Sequence, residues 1–224
     1  MHHGIFEGKN AKERTKRILI LGESHHVNKR DENNMEVGIP ATYTTSSVVE
    51  EYINGSKART KKFFRKIGKA FDCEMESERD RRAFWDEVWF ANYIDVLCGI
   101  KDGAAKRVLA KTENRKKHND ELFRFVNENK IDVVVCFGRL VFDNLPSFNK
   151  KHIREEDRGR IKEGIMAGSK NDYVQKCVYL PDITHNNTSV ILNKPLNVYS
   201  LRHPSAPGFT PENYSDVLRE IFDE

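Results

Sequence analysis

Glu23 in GESHH, Asn92 in WFANYI and His203 in YSLRHPSAPGF are polar side chains set where an apolar run ends or is interrupted, and carboxylate, amide and imidazole are groups that do acid–base, metal and charge-stabilising chemistry. The first follows Ile18 to Leu21, a continuous apolar run closed by Gly22, which has the character of a fully buried parallel strand. In an open α/β sheet, ligands collect just beyond the carboxyl ends of such strands, so Glu23, His25 and His26 are expected at the mouth of a cleft. Taken alone, Glu23, His25 and His26 are also metal donors, and with His185 or His203 completing the set they would make a metal-assisted hydrolase. Adjacent histidines converge from a loop but point to opposite faces on a strand, and no HExxH or HxH spacing supports a metal. No GxSxG elbow, GxGxxG fingerprint or phosphate-binding P-loop competes for the site.

The elements that must hold these residues read as an alternation of strands and helices. After the first strand and a polar stretch, TTSSVVEEYI is expected to start a short helix near Val48, capped by Thr45 or Ser46. KARTKKFFRKIGKAF, 57 to 71, places Phe63, Phe64, Ile67 and Phe71 at helical spacing with Lys61, Lys62, Arg65, Lys66 and Lys69 around them, a basic amphipathic helix. Its basic face either is simply solvated or meets phosphates. A charged helix over about 77 to 87 then leads into an extended stretch, Val88 to Val96, and a long helix carries Leu122, Phe123, Phe125 and Val126.

IDVVVCFG is a second uninterrupted apolar strand, and GRLVFDNLP after Gly138 a short helix stopped by Pro146. Residues 147 to 175 are polar and are expected to form an excursion; CVYLPD and PLNVYSLRHPSAPGF supply two further extended segments. TPENYSDVLREIFDE closes the chain as a helix with Thr210 as cap and Pro211 at its first position. The pattern predicts α/β class: one domain over 1–224, a three-layer α/β/α sandwich with a mostly parallel central sheet of about four or five strands.

The totals narrow the class further. A chain of 224 residues without a Pro/Ser/Gly-rich linker suits one core. No apolar run approaches the roughly 18 residues a membrane span needs, and the start lacks the apolar stretch of a secretory signal, so a cytoplasmic protein without a membrane partner is expected. Cys73, Cys98, Cys136 and Cys177 form no CxxC pair, and Cys136 and Cys177 lie in strand-like runs, where a thiol is structural. With 38 basic against 34 acidic residues, the net charge of +4 matters only through its uneven distribution.

GESHH at one strand end, an Asn-bearing segment WFANYI, an apolar strand ending VVVCFGR and HPSA near the C-terminus together resemble the uracil-DNA glycosylase superfamily, whose members carry a strand-end motif of the GQDPYH or GEAPG kind and a later strand followed by HPS. The likeness is one of order and short motif and runs from about 17 to 222. It implies an enzyme that hydrolyses the N-glycosidic bond of a pyrimidine flipped out of DNA, leaving an abasic site, as in base-excision repair. Breaking that bond builds positive charge on the sugar and negative charge on the leaving base. By the resemblance, Glu23 would stabilise the oxocarbenium-like sugar and orient water, and His203 would donate to the base oxygen as it becomes anionic. Asn92 would read the Watson–Crick edge, with Gly22, Ser24 and His25 lining the base site through side chains and backbone amides.

DNA contact is expected from the flanking loops, Pro204 and Ser205 gripping phosphates, with Lys61, Lys62 and Arg65 of the basic helix adding charge. Phe209 is the candidate wedge that fills the vacated stack, a place in the core being its alternative. Tyr43 in IPATYT is the candidate for stacking on the flipped base, a surface loop tyrosine being the other reading. No cofactor is expected, and a monomer is the expected state. Ser24 stands where the GQDPYH enzymes place a catalytic aspartate, and His25 and His26 replace the usual proline and glycine or tyrosine, so the resemblance does not carry uracil specificity. A different modified pyrimidine, including the modified cytosines of bacteriophage DNA excised in host defence, remains open, as does a non-catalytic nucleic-acid-binding module of the same fold.

Overall fold

Ile18 and Ile20 pack into one hydrophobic cluster and Leu19 and Leu21 into another, and this period-two alternation divides the whole core. The computed structural model describes residues 4–27, 44–55, 58–99, 112–148, 162–166 and 173–223. Its strands are β1 (Phe6–Glu7), β2 (Ile18–Val27), β3 (Trp89–Gly99), β4 (Val133–Phe137), β5 (Ser147–Phe148), β6 (Lys162–Met166), β7 (Tyr173–Tyr179), β8 (His185–Asn186) and β9 (Leu196–Leu201). The helices are α1 (Thr45–Ile53), α2 (Ala58–Ala70), α3 (Glu78–Trp85), α4 (Thr112–Asn129), α5 (Arg139–Asn144) and α6 (Ser215–Asp223), with a 3-10 turn at Pro211–Asn213.

The main sheet has seven strands in the order β1-β3-β2-β4-β9-β7-β6. Its centre, β3-β2-β4-β9, is parallel throughout, and β1, β7 and β6 extend it antiparallel at the two edges. One face is covered by α1, α2, α3 and α6 through an aromatic-rich cluster that includes Tyr52, Phe64, Phe71, Phe84 and Trp85. The other is covered by α4 and α5 through Leu122, Phe123, Val126 and Val141. The result is the three-layer α/β/α sandwich that the alternation of elements predicts.

The parallel core matches expectation because its strands are buried on both faces, and every residue of β4 is buried. The edges were not visible in the sequence: β1 is only two residues long, and the KEGIM of β6 lacks apolar alternation, so both depend on a neighbour's hydrogen bonds. Residues 147–175 are therefore more than an excursion, since β6 and the start of β7 pair there. Three boundaries also move. The cap of α1 is Thr44, in a reciprocal capping box with Ser47, rather than Thr45 or Ser46. The Pro211 turn is separate from α6, because Tyr214 turns inward and stacks on Phe209 at 5.1 Å between ring centroids.

The third boundary shapes the site. β2 does not stop at Gly22: it stays paired with β3 as far as Val27, with a register shift between Ser24 and His25. Its ladder with β4, by contrast, ends at Leu21 and Cys136. The chain runs from β2 to β3 on one side and later to β4 on the other, so the reversal of strand order falls between β2 and β4, where open α/β sheets have their crevice. Among the described residues no helix is long and apolar enough to cross a membrane.

Candidate functional site

Gly22 and Asn92 are direct partners across β2 and β3. A Cβ at position 22 would lie 2.6 Å from Asn92 Oδ1 and 3.1 Å from Phe90 Cζ, so only glycine lets the asparagine side chain lie against this strand. Asn92 is itself buried, held above Phe90 on the aromatic face of the sheet.

A second glycine brings the two ends of the chain together. Gly138 follows β4 with φ of 134°, in the region that favours glycine, and its amide donates to Leu201 O at 3.0 Å, locking the end of β4 to the end of β9. A Cβ built on Gly138 would meet His203 Cδ2 at 3.6 Å and Glu23 Oε2 at 3.8 Å. The imidazole and the carboxylate thus border one small volume, and those two atoms can be no farther apart than the sum of the distances. Glu23 is 5% exposed, and His203 is half-buried.

His203 Nδ1 accepts a hydrogen bond from the Ser205 amide at 3.1 Å. With Nδ1 an acceptor, the neutral tautomer carries its proton on Nε2, which makes that nitrogen a donor. The loop that makes this bond is two consecutive turns, closed by the Ala206 amide on His203 O at 2.8 Å and the Phe209 amide on Ala206 O at 3.2 Å. On one side the imidazole packs on Phe63, with centroids 5.4 Å apart and planes tilted by 38°. Phe63 in turn meets Phe90 edge-on at 6.4 Å.

Phe63 is the site residue that sequence reasoning missed, having been grouped with the core stripe of its helix. The signal was present: Phe64, Ile67 and Phe71 already complete an inward stripe and are fully buried, which leaves Phe63 half-exposed beside it. Two exposed arginines, Arg139 at the start of α5 and Arg202 just after β9, also flank the mouth and were not singled out.

Other expected site residues lie elsewhere. Phe209 is 6% exposed, with its ring against Tyr214 and Phe137, so it is a core residue and not a wedge that can enter a base stack. Pro204 is buried and its carbonyl accepts from Lys66 Nζ at 2.8 Å, so it has no face to offer a phosphate, whereas Ser205 is exposed. Lys62 is exposed on α2; Arg65, on the same surface, pairs with Glu76. Lys61, Ser24 and His25 are placed in α2 and β2 by backbone alone, and their side chains, like Tyr43 as a whole, lie outside the described residues.

His185 does not join His203. It is buried against Phe123 and Tyr179 on the opposite face of the sheet, and burial pushes its pKa down although a backbone hydrogen bond at Leu180 works the other way. Among the described residues no group of three or more His, Cys, Asp or Glu side chains is arranged to hold a metal ion. Cys136 and Cys177 are buried, and burial pushes the Cys136 thiol well up, as suits a structural thiol.

Comparison with known proteins finds no family model that matches the chain and no curated relative of it.

Proposed function

We propose that the protein is a DNA N-glycosylase that hydrolyses the bond between deoxyribose and a uracil or other modified pyrimidine flipped from the stack. The single observation that carries the reading is that Glu23 and the His203 ring both approach Gly138, an acid and an imidazole within reach of one point just after β4. The bond pair of the glycosidic linkage leaves with the base, and the sugar becomes cationic at C1′. The Glu23 carboxylate stabilises that charge and orients a water whose oxygen bonds to C1′, and the proton this water sheds passes to the carboxylate and then to solvent. On the other side His203 Nε2–H donates to the base oxygen as the ring becomes anionic, until solvent protonates the base.

Supporting features surround this pair. Asn92 offers an amide, able to donate and accept, to the edge of a pyrimidine, and Phe63 offers an aromatic surface for stacking. Lys62, Arg139 and Arg202 supply exposed positive charge for phosphates near the mouth. The altered first motif, with Ser24 and His25 after Glu23, leaves the scissile base to experiment. The test is to incubate the protein with DNAs carrying uracil and a panel of modified cytosines and thymines, then to assay abasic sites and released bases. Release of one base class, lost in Glu23→Gln, is the expected result; salt-sensitive DNA binding with no base released from any member would favour a non-catalytic binding module instead.

A further inference from the structure

Lys66 takes no part in the chemistry above, yet together with Phe63 it ties the basic helix α2 to the His203 loop. It is half-buried, its Nζ donates to Pro204 O at 2.8 Å, and it lies 5.5 Å from the centroid of the Phe209 ring. The carbonyl of Pro204 and the amide of Ser205 belong to one peptide group, and that amide is the donor to His203 Nδ1. A line of contacts therefore runs from the ammonium through a single trans peptide to the imidazole. A cation on the carbonyl polarises the peptide and strengthens its N–H as a donor, and the same charge disfavours an imidazolium nearby.

From this geometry we propose that Lys66 is a positioning residue: it clamps the Pro204–Ser205 peptide so that the Ser205 amide keeps His203 neutral, with its proton on Nε2. Other charges bear on the same ring. The Glu23 carboxylate, beyond Gly138, favours the imidazolium; Arg202 precedes His203 in the chain with Nη1 turned toward Pro207 O at 3.4 Å, and Arg139 follows Gly138, and both oppose it. Lys66 differs from the two arginines in acting through the peptide bonded to the ring, so it sets tautomer as well as charge. The burial of Phe209 fits this arrangement, since its ring lies beneath the Lys66 ammonium rather than out in the loop.

The tautomer and charge of His203 are measurable without substrate, by 15N NMR of the imidazole across pH in the full-length protein, in Lys66→Met, Lys66→Gln and Lys66→Arg. The expected result is an acceptor-type Nδ1 in the wild type, a His203 pKa raised by ~1 unit in the Met and Gln variants, and a near wild-type value in Arg. The Gln variant removes the charge while keeping a polar N–H donor on a side chain one atom shorter, and gives the reading if Met fails to fold. On the glycosylase reading, which only this second readout rests on, base release by Met falls ~10-fold, its acid limb shifts to higher pH, and Arg restores both. An unchanged His203 titration in folded Met or Gln overturns the role of Lys66 while leaving the proposed function standing. The expected NMR shift in a protein that releases no base upholds the clamp and sinks the function.

Discussion

Glu23 and Asp120 are both buried carboxylates, 5% and 7% exposed, and they show what burial of an acid does and does not signify. Asp120, on α4, accepts from Lys116 Nζ at 2.7 Å, from Thr188 Oγ1 at 2.7 Å and from the Ser189 amide at 2.6 Å. Its neighbour Asn119 donates to Asn187 O at 3.1 Å and accepts from Tyr93 Oη at 2.8 Å. Together they latch the loop after β8 to α4, with Tyr93 of β3 and Asn144 at the end of α5 joined to the same cluster through Asn119. Glu23 lies beside Gly138, where a built Cβ would meet its Oε2 at 3.8 Å and the His203 ring at 3.6 Å. Asp120 is an internal fastening of the fold, whereas Glu23 shares its glycine neighbour with a second titratable side chain, the pairing on which the proposed chemistry rests.

The comparison is broken or sharpened by substitutions at each corner. The largest effect is expected for Glu23→Gln, an isosteric change that removes charge: base release should fall by ~10³-fold, about 4 kcal/mol in the barrier, while urea unfolding moves little. His203→Ala removes one hydrogen-bond donor and should cost ~10²-fold in single-turnover cleavage, again without loss of stability. Asp120→Ala should behave oppositely, lowering unfolding free energy by about 2 kcal/mol and leaving the rate constant for cleavage by the folded protein intact. Phe63→Ala should weaken binding of DNA carrying the substrate base by ~1–2 kcal/mol, the scale of base–aromatic stacking, as read by titration against unmodified DNA.

The acid side of the stability profile separates the two carboxylates as well. Burial alone would raise the Asp120 pKa, but the bond from Lys116, the Ser189 amide and Thr188 outweigh it and hold the carboxyl below its ordinary value. Its contribution is therefore complete above the unfolded value near 4 and is lost as pH falls through the lower folded value. Stability curves of wild type and Asp120→Asn should converge below about pH 4, which chemical unfolding at a series of pH values would show.

How far the sequence could be read depended on how local the signal was. β4 is legible because both its faces are buried, which forces an unbroken apolar run, and α2 because Phe64, Ile67 and Phe71 repeat at helical spacing over a basic face. β6 and β1 are not, since an edge strand is held by pairing that leaves no pattern in its own residues. At the site, Glu23, Asn92 and His203 stand where apolar runs end or are interrupted, which a sequence displays; that Gly138 unites two of them depends on strand order, which it does not. Phe209 misled for a related reason. An aromatic after HPSAPG looks like a loop tip, but the two turns after His203 fold it back under the loop onto Tyr214.

The most direct test of the central claim, that Glu23 faces a sugar turning cationic, is the affinity of the protein for two DNA duplexes differing only in an abasic-site analogue, a cationic pyrrolidine in one and a neutral tetrahydrofuran in the other. The wild type should bind the cationic analogue at least ~10-fold more tightly, and Glu23→Gln should abolish that preference while binding the neutral analogue about as before. Equal affinity of the wild type for both duplexes, or a preference that survives Glu23→Gln, would contradict the account.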